Sequence, residues 1–293
     1  LFPTPQLDLE SYEQTEEGGW RLVVNRSLEG REYHPAEYLF APADRPKDED
    51  SPFLKGRNQE MLWQFVSVKN LPMPETASAG QVVKIQTSQD LTDLAQLVNS
   101  GDWSYQNNVY LLDADIDMTG VPFSPIGSYT ALDPRDPAPK GFCTTFDGQG
   151  HTIRNLLVNG GGLFAGIGEN GFIANLKLES VVTSAKPETD ASGGIAGWIT
   201  NGSISKCNVS GKVTGSDIAG GIAGLVRNGI LQGCRADVAV TGNGTLGGIA
   251  GLIEGSSSTL IDCTVTGTVT GQAPYTALGG FAGRFNAGTI DRG

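Results

Sequence analysis

Apolar and polar residues alternate through the C-terminal half of the chain, and the alternation recurs. After residue 206 one parity reads Cys207, Val209, Gly211, Val213 and the other Asn208, Ser210, Lys212, Thr214. CTVTGTVTG at 263–271 repeats the arrangement. A period of two predicts strands with one buried and one wet side. No helical pattern of useful length follows residue 160. Upstream the spacing changes once. Leu91, Leu94, Ala95, Leu97 and Val98 form an apolar stripe at helical intervals, which predicts a helix over 88–99 with Ser88 as its N-cap. Tyr110, Leu112, Ala114, Ile116 and Met118 then alternate as a strand, which places Asp113, Asp115 and Asp117 on the outer side. In residues 1–79, GWRLVVNRSL (19–28) and MLWQFVSVKNL (61–71) read as strands of a small β unit. The polar, Pro-rich APADRPKDEDSP (41–52) between them reads as a long exposed loop, and PMPETASAG (72–80) as a linker.

The alternating segments belong to an internal repeat. GGIAG occurs at Gly193–Gly197, Gly220–Gly224 and Gly247–Gly251, GGFAG at Gly279–Gly283, and the weaker GLFAG at Gly162–Gly166. The four closest copies are spaced by 27, 27 and 32 residues. Five residues after each final glycine, except in the copy lengthened by EGSSST, stands another: Gly171, Gly202, Gly229 and Gly288. Seven after it stands an apolar residue, Ile173, Ile204, Leu231 or Ile290. At ten come Leu176, Cys207 and Cys234, and the longer loop moves Cys263 to twelve. A repeat of this length, built of short strands and glycine turns, suits one coil of a parallel β-solenoid. GGIAG is then expected to form one face of each coil, with Cys207, Cys234 and Cys263 stacked inside as free, inert thiols.

Composition sharpens this. Glycine numbers 41 of 293 residues, about twice the roughly 7% background, without the period of collagen. The net charge of −12 is uneven. Basic against acidic residues count 8 to 14 over 1–79, 4 to 9 over 80–160 and 8 to 9 over 161–293. No basic stripe is available for a phosphate backbone, so nucleic acid is not an expected partner. No apolar run approaches the roughly 18 residues of a membrane span. The chain begins LFPTPQLDLE, which reads as a mature or trimmed start. The four cysteines form no CxxC pair.

GGIAG followed by the Ile, Cys, Val and Gly positions above resembles the GLUG motif of bacterial surface and secreted proteins. QDLTDLAQLVNSG (89–101), VYLLDADIDMTG (109–120), PIG (125–127) and FDGQGHTIRNLLV (146–158) resemble the usual lead-in to such repeats, so the resemblance covers roughly 82–293. It implies a right-handed parallel β-helix. It also implies kinship with adhesin-like proteins and with non-catalytic regions of immunoglobulin A-specific metallopeptidases.

Candidate chemistry is sparse. Asp113, Asp115 and Asp117 match the opening of a calcium loop, but Met118 stands where the loop needs glycine and no Glu occupies position twelve. His34 and His151 are the only histidines, and no HExxH occurs. Asp217, Asp237 and Asp262 do not share a repeat position, so no converging carboxylate pair for glycoside chemistry is expected. Trp198, Leu225 and Leu252, followed by Arg284, occupy one repeat position. If Ile195, Ile222 and Ile249 point inward, this row points outward as an apolar ridge. The loop GSYTALDPRDPAPKGF (127–142) carries Tyr129, Arg135 and Lys140 and interrupts the motif order. Long loops on rigid scaffolds carry recognition.

The expected protein is all-β: a small β unit over 1–79, then a solenoid over 80–293 with a lead-in (80–160) and repeats (161–293). The helix caps its N-terminal end. The expected function is non-enzymatic, without metal or cofactor. It is an extracellular or bacterial cell-surface adhesin-like protein binding a host protein or glycan through Trp198, Leu225, Leu252, Tyr129 and Arg135. The alternatives are a polysaccharide-active β-helix enzyme and a structural stalk of a larger surface assembly.

Overall fold

The structure is a computed structural model and describes residues 6–16, 20–28, 31–42, 63–70, 81–101, 103–127, 141–184, 191–273 and 276–291. The expected loop at 41–52 (beyond Pro42) and linker at 72–80 lie outside them. The chain divides into two compact units, Leu1–Gly80 and Gln81–Gly293.

The first unit is an antiparallel meander of β1 (Gln6–Gln14), β2 (Trp20–Leu28), β3 (Arg31–Pro42) and β4 (Trp63–Asn70), in that order across the sheet. Sequence reading finds β2 and β4 and misses β1 and β3. The proline of β3 hides it. Pro35 falls where the pairing with β2 shifts register, between Val24 and Arg26, and beyond the last pair with β4, Ala36 with Asn70. A missing N–H costs little at such a place.

The second unit is a parallel β-solenoid of about seven coils. From residue 191 a full coil has four strands. The first such coil has Ala191–Gly193, Ala196–Thr200, Ser203–Ser205 and Asn208–Gly215. The next has Ile218–Gly220, Ala223–Arg227, Ile230–Gln232 and Arg235–Gly242, and the third Thr245–Gly247, Ala250–Glu254, Thr259–Ile261 and Thr264–Gly271. We call these the glycine, motif, short and long strands. Each pairs in parallel with its equivalents in neighbouring coils, so four sheets run along the stack. The last coil contributes Ala277–Gly279, Ala282–Phe285 and Thr289–Asp291.

Registration turns each repeat position into a ladder. Tyr110, Phe146, Ile173, Ile204, Leu231 and Leu260 align across six successive coils, and all are buried. Ile195, Ile222 and Ile249 are buried, as are Cys207, Cys234 and Cys263. Each fully buried Ile or Leu contributes roughly 1.5–3 kcal/mol. The thiols are free. Each sulfur lies near the carbonyl two residues back, 3.3 Å for Cys207 to Ser205 O and 3.4 Å for Cys263 to Ile261 O.

GGIAG does not form a face. Gly193 closes the glycine strand, Gly194 and Ile195 make the bend, and Ala196 and Gly197 open the motif strand. Crowding explains the glycine pair. A Cβ on Gly194 would lie 2.5 Å from Val209 Cγ1 of the long strand and 2.7 Å from Gly221 O of the next coil. The bend is pressed between the Val209 side chain and the backbone of the next coil, and a side chain has no room there.

The lead-in coils are filled by rings instead. Phe142 and Phe164 stand 5.0 Å apart, Phe146 meets Phe164 edge-on at 5.7 Å, and Tyr105 stacks on Phe142 at 5.8 Å. Helix α1 (Ser88–Asn99) follows the first solenoid strand, Val82–Ile85, and buries Leu91, Leu94, Ala95 and Val98 in the main core. Its N-cap is Thr87, not Ser88. Thr87 is extended, its hydroxyl accepts from Asp90 N, and the Asp90 carboxylate accepts from Thr87 N, a reciprocal capping box. The α1 cap is a minor element, one helix on a body of strands.

Candidate functional site

The expected ridge is covered. Period two correctly separates Trp198 and Leu225 from the main core, and they form their own cluster with Ala191, flanked by Ile218 and Leu252. Trp198 is 3% exposed and Leu225 2%. Leu252 is half-buried, and only Arg284 at the end of the row is exposed. The Trp198 ring lies over Gly166, its partner in the preceding coil, and reaches Gly141. The two glycines supply a floor that the repeat pattern does not reveal, because one comes from the weak motif copy and the other from beside the inserted loop.

Tyr129, Arg135 and Lys140 lie outside the described residues, but both roots of their loop are described. Ile126 bridges Phe164 and Phe142 bridges Ile167, so the chain leaves and rejoins the solenoid beside one strand. At the first root Asn99, the last residue of α1, donates to Pro125 O at 3.0 Å and accepts from Gly127 N at 2.7 Å. At the second root the Tyr105 hydroxyl donates to Gly141 O at 3.0 Å. Burial pushes the Tyr105 phenol above its usual range, so it remains a donor. Trp198 is thereby brought to the second root.

The three aspartates do not converge. Asp113 accepts from Lys84 Nζ at 3.1 Å and Gln86 Nε2 at 2.8 Å. Asp115 accepts from Thr152 N at 2.9 Å and lies 3.2 Å from His151 Nδ1. Asp117 accepts from the Thr119 hydroxyl at 2.6 Å, Thr119 N at 2.9 Å and Asn155 Nδ2 at 3.0 Å, with Arg154 at 3.5 Å. The Thr119 and Asn155 hydrogen bonds hold the Asp117 carboxyl down at about 2. These are cross-coil braces on an exposed surface. Among the described residues, no three His, Cys, Asp or Glu side chains form a metal-holding group. No helix among them is long and apolar enough to cross a membrane. The side chain of His34, in β3, lies outside what is described.

Among the described residues the longest solenoid strands, of eight residues each, form the long-strand sheet, whose outer surface the sequence reading did not single out. In register across it run Lys177, Asn208, Arg235 and Thr264. A second row runs Leu157, Val182, Lys212, Ala239 and Thr268. The first row is exposed throughout, and so is the second apart from half-buried Ala239. Ser210, Asp237 and Thr266 make a third row. The signal was available in the alternation, whose wet parity names most of these residues. Strands about 4.8 Å apart hold such rows as a flat array of donors and acceptors with a small apolar strip, Leu157 and Val182.

Residues 189–214 match the family described as the GLUG motif. The described part of that span, residues 191–214, lies within one coil, and the next coil repeats its strands in register. The chain is thus a β-solenoid in which the stretch 189–214 matches the GLUG motif. It is 30% identical over 140 residues, 43% of its length, to halomucin of Haloquadratum walsbyi. The chain spans about 1% of halomucin's own length. Among solved structures it is similar to a Bacteroides ovatus protein assigned provisionally as an immunoglobulin A1 protease. The identity is 18%, with 72% of this chain and 85% of that one covered, at a TM-score of 0.36.

Proposed function

We propose that the protein is a non-enzymatic, adhesin-like module that works by binding, presenting its long-strand sheet to an extended glycan or host extracellular protein. The observation that carries this reading is the exposed array in which Asn208, Arg235 and Thr264, and Lys212 and Thr268, stand in register on a rigid sheet. Directional donors repeated at a fixed interval match a partner that itself repeats. The GLUG match and the halomucin likeness suggest a surface or secreted repeat protein, the setting in which such a face meets its partner. The inserted loop with Tyr129 and Arg135, rooted beside Trp198, is the second contact region of this reading.

The test is a mixed array of glycans and host extracellular proteins probed with the full chain, with released product assayed on the same glycans. Binding without product, weakened tenfold or more by Lys212→Glu with Arg235→Glu, is the expected result. Release of product would overturn the non-enzymatic reading in favour of a polysaccharide-active enzyme. Absence of binding would overturn the adhesin reading in favour of a stalk.

A further inference from the structure

The head of the long-strand sheet carries cations that the fold leaves unused. Other cations described in the solenoid are engaged. Lys84 Nζ donates to Asp113 at 3.1 Å, Arg154 lies 3.5 Å from Asp117, Arg227 Nε donates to Glu254 at 2.7 Å and Arg284 Nε to Asn286 at 2.9 Å. Lys177, Lys206, Lys212 and Arg235 are exposed and make no ion pair among the described residues. Three of the four gather. Lys177 and Arg235 stand in one register row on either side of Asn208, roughly 9.6 Å apart at two strand spacings. Lys206 precedes Asn208 by two residues, at the corner leading into the middle strand. Each of the three strands, Lys177–Ser184, Asn208–Gly215 and Arg235–Gly242, is paired on both sides.

Lys206 is the informative member. Its backbone is left-handed, with φ at 54°, a conformation that is costly for a residue with a Cβ. The same corner holds Asn175 in the coil before, Gly233 in the coil after and Asp262 in the next, at φ 52°, 61° and 50°. Asn, Gly and Asp accept this conformation readily, and lysine does not. Gly233 leaves room for the lysine stem. A Cβ built there would lie 3.6 Å from Lys206 Cγ, an ordinary contact, so the stem runs beside Gly233, two residues before Arg235.

The arrangement of charge indicates the kind of anion. Two lysines and an arginine around one point of the surface suit a group with three terminal oxygens splayed in different directions, as a sulfate ester has. A flat carboxylate is matched by a single guanidinium fork. Glu179 and Asp237 stand two residues beyond Lys177 and Arg235 on the same strands and are exposed, so a polyanion laid along a strand is repelled within one step. One laid across the strands meets Lys177, Asn208, Arg235 and Thr264 in turn, cations alternating with neutral side chains. A chain whose anionic groups are separated by neutral sugar suits that row. The closely spaced phosphates of a nucleic acid do not.

We infer that this row binds a sulfate ester carried on an extended glycan that lies across the strands. The sulfate is held between Lys177, Lys206 and Arg235, and Asn208 and Thr264 meet the sugar hydroxyls. The inference rests on the proposed reading of the long-strand sheet as a binding face, and it narrows the partner.

Dextran sulfate, unmodified dextran and carboxymethyl-dextran share one backbone. The full chain is titrated with each by calorimetry, with a DNA duplex as a fourth probe. Dextran sulfate should bind about tenfold tighter than the other three, and more weakly as salt rises. Lys206→Asn gives the corner the residue that the preceding coil has there, so the melting temperature should hold or rise. That change and Arg235→Gln should each weaken dextran sulfate binding by about threefold. Equal affinity for carboxymethyl-dextran or for the duplex would overturn the assignment of a sulfate ester. Dextran sulfate binding indifferent to both substitutions would overturn the site. Absence of dextran sulfate binding would overturn the inference too. If the mixed array then still reports a partner lost on Lys212→Glu with Arg235→Glu, the binding face stands without the sulfate. If the array is also silent, both readings fall together.

Discussion

The packing of Trp198 on Gly166 makes a prediction sharp enough to fail. A Cβ added at Gly166 would overlap Trp198 Cε2 and Cζ2 and lie 2.5 Å from its Nε1. The indole is 3% exposed and cannot swing aside without leaving its cluster. Gly166 sits in a strand without positive φ, so the backbone tolerates alanine and the whole penalty is steric. Overpacking of a filled site costs about 1–3 kcal/mol. Trp198→Ala removes a buried indole and should cost about 3–5 kcal/mol. In that background Gly166→Ala meets empty space, and its loss of chain entropy in the unfolded state makes it neutral or stabilising by about 0.4–1 kcal/mol. The coupling energy between the two changes should therefore reach about 2 kcal/mol. Urea unfolding of the wild type, both single variants and the double variant, followed by far-ultraviolet circular dichroism at constant m-value, measures it. If Gly166→Ala costs the same with and without the indole, the ring does not lie on Gly166 and the covered-ridge description is wrong.

Other outcomes are equally direct. The Ser192 hydroxyl is buried without a hydrogen-bond partner, and the equivalent residue one coil on is Ala219; Ser192→Ala should raise stability by about 1 kcal/mol or more, and a fall in the urea midpoint would refute this. Burial pushes the Cys143 and Cys207 thiols up to about 12 from an ordinary value near 9. They stay protonated in the fold while the unfolded chain ionises, so stability should hold below about pH 9 and fall by about 1.4 kcal/mol per pH unit per thiol between 9 and 12. Cys207→Ala should flatten that fall, and a native chain whose thiols react readily with Ellman's reagent at pH 8 would contradict it. The Asp117 carboxyl should titrate in carbon-detected NMR near 2. Thr119→Ala, which removes the first of its hydrogen bonds, should move the midpoint up toward 3.8, and an unmoved midpoint would place the cause elsewhere. Because the folded value is depressed, the contribution of Asp117 is present above its unfolded value and lost as pH falls through 2.

Local alternation made the repeated strands legible. Val209 and Val213 inside, with Asn208 and Lys212 outside, need only a period of two. The cysteine ladder followed from the shared repeat position of Cys207 and Cys234, with Cys263 shifted two residues by the longer loop. The role of GGIAG did not, because a glycine says that space is short without saying whether a face or a bend lacks it. The ridge failed for a related reason. Parity gives the side on which Trp198 emerges, but the ring lies down on Gly166 and Gly141, residues distant in sequence and outside the strongest repeats. The N-cap Thr87 lies one position before the expected Ser88. The pairing of Thr87 with Asp90 was the available clue. The flat polar sheet was written in the same alternation, yet apolar residues draw attention as binding candidates more readily than wet ones do.

The stacking of equivalent coils has a mechanical consequence. Each full coil is joined to the next by the same four parallel strand pairings and touches only its neighbours. Tension along the stack therefore loads a series of similar boundaries and releases one coil before the next. With coils repeating at 27 residues, each release lengthens the chain by roughly 90 Å. The body would behave as a ratcheted shock absorber, dissipating a pull in steps.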